Sequence, residues 1–141
     1  MNNLSLIPAA TVLLIRDSDE GLQVLMVKRS KRPPFENLYV FPGGKIDESD
    51  KDQNLKDFCN TLDDKLASSK LGIDEGGLSY WIACVRECFE EVGILLATRK
   101  DGEELDLNGS DKQKFNDYRK MLIENQISFK EICDQERLVL N

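Results

Sequence analysis

Apolar and charged positions recur with helical spacing most clearly between Tyr80 and Val92. Trp81, Cys84, Val85, Cys88 and Val92 take one side, and Glu87, Glu90 and Glu91 stand at i, i+3 and i+4 on the other, an arc of about 100°. The pattern predicts a helix that starts near Leu78 to Tyr80, runs to about Val92 and is broken by Gly93. Upstream, Pro8–Arg16 is an apolar, β-branched run that reads as a buried strand, Asp17–Gly21 as a turn, and Leu22–Arg29 as a second strand that closes a hairpin. Pro33–Asn37 reads as loop and Leu38–Phe41 as an extended segment held by Pro42. Leu55, Phe58, Leu62 and Leu66 predict a short helix, and Lys70–Ser79, with Gly72, Gly76 and Gly77, a return to loop. Downstream the expected order is a strand over Ile94–Thr98, a polar loop over Lys100–Asp111, and an amphipathic helix over Lys112–Glu124 that buries Phe115, Tyr118, Met121 and Leu122. A last helix follows over Ser128–Glu136, where Ser128 and Glu131 form a capping-box pattern. Mixed strands and helices place the chain in the α/β class.

Composition narrows what such a domain does. The 141 residues are the length of a single domain, residues 1–141, and no second domain is expected. A net charge of −7 argues against a nucleic-acid polymer or an anionic membrane as partner, because both demand basic surfaces. An anionic small molecule would be met locally, by metal ions and a few Lys or Arg side chains. Cys59, Cys84, Cys88 and Cys133 have no Cys-x-x-Cys spacing and the chain has no histidine, which argues against zinc sites and against Cys–His or Ser–His catalysis. Cys84 and Cys88, one turn apart on the apolar helix face, read as small buried thiols, and a reducing cytoplasm is the expected location. Met1–Pro8 has neither a basic n-region nor a long apolar run, so secretion and membrane spanning are not expected, and Leu138–Asn141 is no obvious targeting signal.

The acidic side of the central helix carries the candidate chemistry. Most acidic helix faces are simply solvated, but three like charges one turn apart repel each other unless a cation compensates them. Hard divalent cations prefer carboxylate oxygen and bridge it to phosphate. Arg86, next to the first acid, can hold a carboxylate through a planar bidentate contact. Lys28-Arg29-Ser30-Lys31-Arg32 is the one concentrated basic segment and lies close to Phe41-Pro42-Gly43-Gly44, where the two glycines allow close backbone approach or positive φ. It reads either as a solvated strand end or as the group that meets substrate phosphates.

Arg86-Glu87-Cys88-Phe89-Glu90-Glu91-Val92-Gly93-Ile94 resembles the second half of the Nudix box, in which Arg-Glu-U-x-Glu-Glu-x-Gly-U (U aliphatic) follows a glycine, five residues, a glutamate and seven residues. Gly44 resembles the opening glycine, and Asp50 stands where the family has glutamate. Lys51–Val85 fills the place of the seven residues with 35, so the resemblance implies a box split by an insertion at about 51–78. A frame beginning at Gly72 keeps the spacing but puts Leu78 at the glutamate position, where it cannot bind a cation. The split box led by Tyr80-Trp81-Ile82-Ala83 resembles the subgroup that includes Nudix hydrolase 19, some of whose members are coenzyme A diphosphatases. Arg29-Ser30 ahead of Phe41–Gly44 fits the coenzyme A signature loosely, one residue short and with Asn37 near the place of its glycine.

The resemblance implies a Nudix-like α/β/α sandwich with a mixed sheet. It covers the N-terminal half of the subgroup's domain, so the sheet is expected to be incomplete at the C-terminus, and exposed edges would favour self-association into a homo-oligomer. The implied activity is that of a metal-dependent hydrolase, a pyrophosphatase that splits the diphosphate of a nucleoside diphosphate linked to another moiety, with coenzyme A or an acyl derivative as one candidate. Glu87, Glu90, Glu91 and the Gly44 carbonyl are the implied ligands of Mg²⁺ or Mn²⁺. Glu90 is a candidate base, Glu87 acts beside it and Arg86 orients them; Arg29, Lys28 and Arg32 are the candidate substrate contacts, and Gly43, Asp50 and Gly93 are structural. The alternative is an inactive Nudix-like fragment serving as a binding or scaffold domain. The insertion reads as a lid or a surface elaboration, with the latter favoured.

Overall fold

The computed structural model describes residues 6–28 and 38–141. In chain order the elements are β1 (Ala9–Thr11), β2 (Ile15–Arg16), β3 (Gln23–Val24), β4 (Val27–Lys28), β5 (Tyr39–Val40), β6 (Gly43–Lys45), α1 (Asp64–Leu71), α2 (Gly77–Val92), β7 (Ala97–Arg99), α3 (Lys112–Ile123), α4 (Phe129–Glu136) and β8 (Leu138–Leu140). Two 3₁₀ turns, Glu48–Lys51 and Gln53–Phe58, lie between β6 and α1.

Helix α2 is the spine. Leu78, Ile82, Val85 and Phe89 recur every three or four residues and are all buried, so one stripe of the helix forms the floor of the core. Of the expected stripe of Trp81, Cys84, Val85, Cys88 and Val92, Val85 and Cys88 are buried, but the buried side is turned toward Leu78, Ile82 and Phe89, because α2 is covered on more than one side. Trp81 and Cys84 are half-buried on a flank and Phe89 is at the centre. Phe89 meets Phe115 of α3 edge to face, with ring centroids 6.2 Å apart, and Phe115 meets Tyr118 in the same way at 5.7 Å. Phe129, Ile132 and Cys133 of α4 and Leu138 and Leu140 of β8 close the same core.

The strands form four antiparallel pairs among the described residues: β1 with β6, β2 with β3, β4 with β5, and β7 with β8. The expected mixed sheet is represented there by these pairs. The hairpin over Ile15–Val24 forms as predicted, closed by a turn in which Ser18 and Gly21 exchange backbone hydrogen bonds. Pro8–Arg16, however, is not one buried strand. It divides between two partners, Ala10 facing Gly44 and Ile15 facing Val24, and Leu13 and Ile15 are exposed while Ala10 is buried. At the other end Leu138–Leu140 is a strand: Arg137 adopts the left-handed conformation (φ 52°) that ends α4 and turns the chain back onto β7. Two or three residues of alternating pattern are too few to announce a strand. The helix over Ser128–Glu136 is present with its reciprocal capping box, Ser128 N–H donating to Glu131 and Glu131 N–H to Ser128 Oγ.

Residues 51–78 depart most from expectation. The stretch from Leu55 to Leu66 is not one helix, because Asp52 and Asp63 offer side-chain oxygens to the amides of Asn54 (2.9 Å) and Leu66 (2.7 Å), which starts a tight turn and then a new helix. Nor do these residues lie only on the surface. Leu55 and Ala67 are fully buried in the core against α2, and the Asp64 carboxylate caps the start of α2, accepting from the N–H groups of Gly76 and Leu78 at 3.0 Å each. Ser68 Oγ accepts from Gly77 N–H at 2.9 Å.

The N–H groups of Leu78 and then Gly76 hold the Asp64 carboxyl below its ordinary value of 3.8. The cap therefore contributes its full stability above that pH and loses it as pH falls through the lower folded-state value. Asp64→Ala is expected to lower unfolding free energy by about 1 kcal/mol at pH 7. The difference from the unaltered chain should shrink in acid, as read by urea denaturation at pH 7 and near pH 3.

Candidate functional site

Beyond its core stripe α2 carries a buried cation. Arg86 is 4% exposed and all five of its N–H donors are used. Nε and Nη2 donate in parallel to Asp50 Oδ1 and Oδ2, both at 2.8 Å; Nη2 also donates to the Lys45 carbonyl at 3.1 Å; Nη1 donates to Glu87 Oε1 and Glu90 Oε1, both at 3.1 Å. Asp50 is 1% exposed and its Oδ2 also accepts the Asp47 N–H at 2.8 Å, within the Glu48–Lys51 turn. Burial works to lower the guanidinium's pKa, but its hydrogen bonds and charge contacts with Asp50 and Glu90 outweigh that and raise it, so Arg86 is a permanent cation. The repulsion among the helix acids is thus answered first from within the chain.

The strand β6 brings the glycines to the same place. Pairing of Gly44 with Ala10 sets the Gly44 backbone against the Glu87 carboxylate, which occupies the space a Cβ at residue 44 would fill. Gly43, at φ 153° with the Ala10 carbonyl where its Cβ would be, donates its N–H to Glu91 Oε2 at 3.1 Å. Burial pushes the Glu87 carboxyl up; the Arg86 charge opposes this, and Glu90 and Glu91 add to it. Gly93 ends α2 in the left-handed conformation at φ 73°. A cavity of about 440 Å³, lined in part by Asp47, Arg86, Glu90, Gln126 and Ser128, opens on the Glu90 side.

The structure therefore brings Gly43, Gly44, Asp50, Arg86, Glu87, Glu90 and Glu91 together across residues 51–85. Lys28 is exposed in β4, opposite Tyr39, and takes no part in the ion pairs of this cluster. Arg29 and Arg32 lie outside the described residues. A hard divalent cation takes oxygen donors, and three carboxylates beside a bare glycine backbone are a donor set that fits Mg²⁺ or Mn²⁺. Among the described residues no three acidic, Cys or His side chains converge on one point: Glu87 and Glu90 are turned to Arg86, and Glu91 to Gly43 N–H. The cysteines stay outside this chemistry, with burial pushing the thiols of Cys59 and Cys88 up to about 11 and that of Cys133 to about 12.

Sequence reasoning missed Arg119 of α3, which donates from Nε to the Glu90 carbonyl at 2.8 Å and from Nη2 to the Glu91 carbonyl at 2.9 Å. Its signal was a cation set between Phe115 and Leu122 on the buried stripe of an amphipathic helix. The Lys45 carbonyl, a backbone group, left no signal.

Asp50→Asn is expected to cost about 3 kcal/mol, the low end for breaking a buried ion pair, because Glu87 and Glu90 still face the guanidinium; urea denaturation at pH 7 reads it. The two glycines should behave oppositely. Gly44→Ala meets only the end of a flexible side chain, so it should fold normally but displace Glu87, whereas Gly43→Ala meets backbone and should lose about 1–3 kcal/mol. Thermal denaturation beside Mn²⁺ titration separates the two.

No family model matches the chain. Among curated proteins it is similar to the acyl-coenzyme A diphosphatase NUDT19 of Xenopus laevis, 31% identical over 153 aligned residues that take in 89% of this chain and 40% of that relative's length. Among solved structures it is similar to a Nudix hydrolase of Alicyclobacillus acidocaldarius, with a TM-score of 0.53 and 24% identity, over 78% of this chain and 52% of the other. The structural likeness shows that the chain has the fold of a Nudix hydrolase, and the likeness in sequence spans less than half of the relative's length.

Proposed function

We propose that this chain is a Nudix-type pyrophosphohydrolase whose box is split by the insertion, Gly44 and Asp50 on one side and Arg86–Gly93 on the other. The observation that carries the reading is the Arg86 guanidinium, which joins Asp50 to Glu87 and Glu90 although 36 residues separate it from Asp50. The substrate class is a small molecule with a diphosphate between a nucleoside and a second moiety, and likeness to an acyl-coenzyme A diphosphatase favours coenzyme A or its acyl esters. Among the described residues no helix is long and apolar enough to cross a membrane.

Glu87, Glu90, Glu91 and the Gly44 carbonyl would hold Mg²⁺ or Mn²⁺. When bound, such an ion neutralises charge on the phosphate oxygens and lowers the pKa of water. The chain's own contribution is positional. Arg86 fixes the rotamers of Glu87 and Glu90 from one nitrogen, the β1–β6 pairing fixes Gly44, and Glu90, facing the cavity, is the candidate to take the proton of an attacking water. Lys28, Arg29 and Arg32 are the candidates to meet phosphate oxygens.

The test is product release by the purified chain from coenzyme A, acyl-coenzyme A, ADP-ribose, NADH and nucleoside triphosphates with Mg²⁺ or Mn²⁺. Cleavage of one diphosphate class that Glu90→Gln lowers by about a hundredfold or more is the expected result. A folded chain that turns over nothing on this panel would be an inactive binding or scaffold domain instead.

A further inference from the structure

The last turn of α2 has a problem of its own. Glu90 and Glu91 sit where the helix runs out of N–H partners: the Gly93 N–H reaches back to the Phe89 carbonyl, and the carbonyls of the next two residues need donors from elsewhere. They are also the end at which the helix dipole is negative, so the carboxylates of these residues are added to an unfavourable field. Arg119 answers both. Phe115, one turn earlier on the same face of α3, is locked edge to face on Phe89, and Leu122 is buried beyond it, so packing sets the rotation and height of α3 against α2. With that register Arg119 points at the end of α2, and its Nε and Nη2 meet the two carbonyls at 2.8 and 2.9 Å. The stem of Arg119 also runs alongside Gly93, 3.9 Å from where a Cβ would stand.

We propose that Arg119 is a positioning residue for the metal-binding carboxylates, acting through the backbone of Glu90 and Glu91; this rests on the reading of those glutamates as ligands. It touches no carboxylate of the cluster that Arg86 organises, and the two arginines divide the work. Arg86 sets the side chains of Glu87 and Glu90. Arg119 sets the height and rotation of the last turn from which Glu90 and Glu91 project, and places positive charge behind them. A guanidinium spans both carbonyls at once, which an ammonium does not.

The test is Mn²⁺ binding by the whole chain, measured by calorimetry and by the electron paramagnetic resonance signal of free Mn²⁺, for the unaltered protein, Arg119→Gln, Arg119→Lys and Tyr118→Phe. Tyr118→Phe removes the hydroxyl that donates to Gln135 and Glu136 at 3.0 Å, so it perturbs α3 without touching α2's end. The expected result is about tenfold weaker binding in Arg119→Gln, as for other groups that act behind the ligands. Arg119→Lys should fall between Arg119→Gln and the unaltered chain, and Tyr118→Phe should bind normally. Binding in Arg119→Gln equal to that of the unaltered chain, or a loss no greater than in Tyr118→Phe at matched thermal stability, overturns the proposal. No Mn²⁺ binding by the unaltered chain overturns the ligand reading itself, a result distinct from the others.

Discussion

Burying a guanidinium and a carboxylate together is costly, since each loses several kcal/mol of hydration, and the pair is tolerated only when every polar atom is met. Arg86 and Asp50 satisfy that condition, with five donors used and both carboxylate oxygens engaged. The constraint reaches well past the pair. Because the guanidinium also needs the Lys45 carbonyl, β6 is drawn to α2; because Asp50 also caps its own turn, the segment from Asp47 to Lys51 is drawn there as well. The position of Gly44, and through the β1–β6 register that of Ala10, follows from these two demands.

Helix α2 is held at both ends by side chains from other elements, Asp64 of α1 at its start and Arg119 of α3 at its finish, and between them by Phe89 in the core. Each anchor carries the sign that the helix end favours, an anion at the N-terminus and a cation at the C-terminus. A helix fixed in this way presents its acids at defined height and rotation. The carboxylates themselves are placed by hydrogen bonds that reach them from Arg86 and Gly43.

Much of this was legible in the residues. The helix over α2, its end at Gly93, the hairpin and the capping box at Ser128 follow local rules that the sequence obeys. The proximity of Gly44, Asp50 and Arg86 was legible only through likeness to a motif, since nothing in composition or spacing brings positions 36 or more residues apart together. The core stripe was misplaced by about a fifth of a turn because periodicity locates a polar face more securely than an apolar one when a helix is covered on several sides. The stretch from Leu55 to Leu66 defeated the reading for a local reason: aspartates at 52 and 63 compete with the helix that the leucine spacing suggests. The strand at Leu138–Leu140 depends on a left-handed Arg137, a conformation that an arginine does not advertise.

The contact between Arg86 and Asp50 also has a kinetic side. A segment of 36 residues must close before the guanidinium finds its carboxylate, and loop closure of that length costs about 3 kcal/mol of chain entropy with no local reward along the way. Helices α2 and α3 can form from near neighbours, whereas the cluster of acids and glycines gains its shape only when distant stretches meet. In folding, the scaffold should therefore precede the site, and in partial unfolding the site should be lost before the helices that carry it.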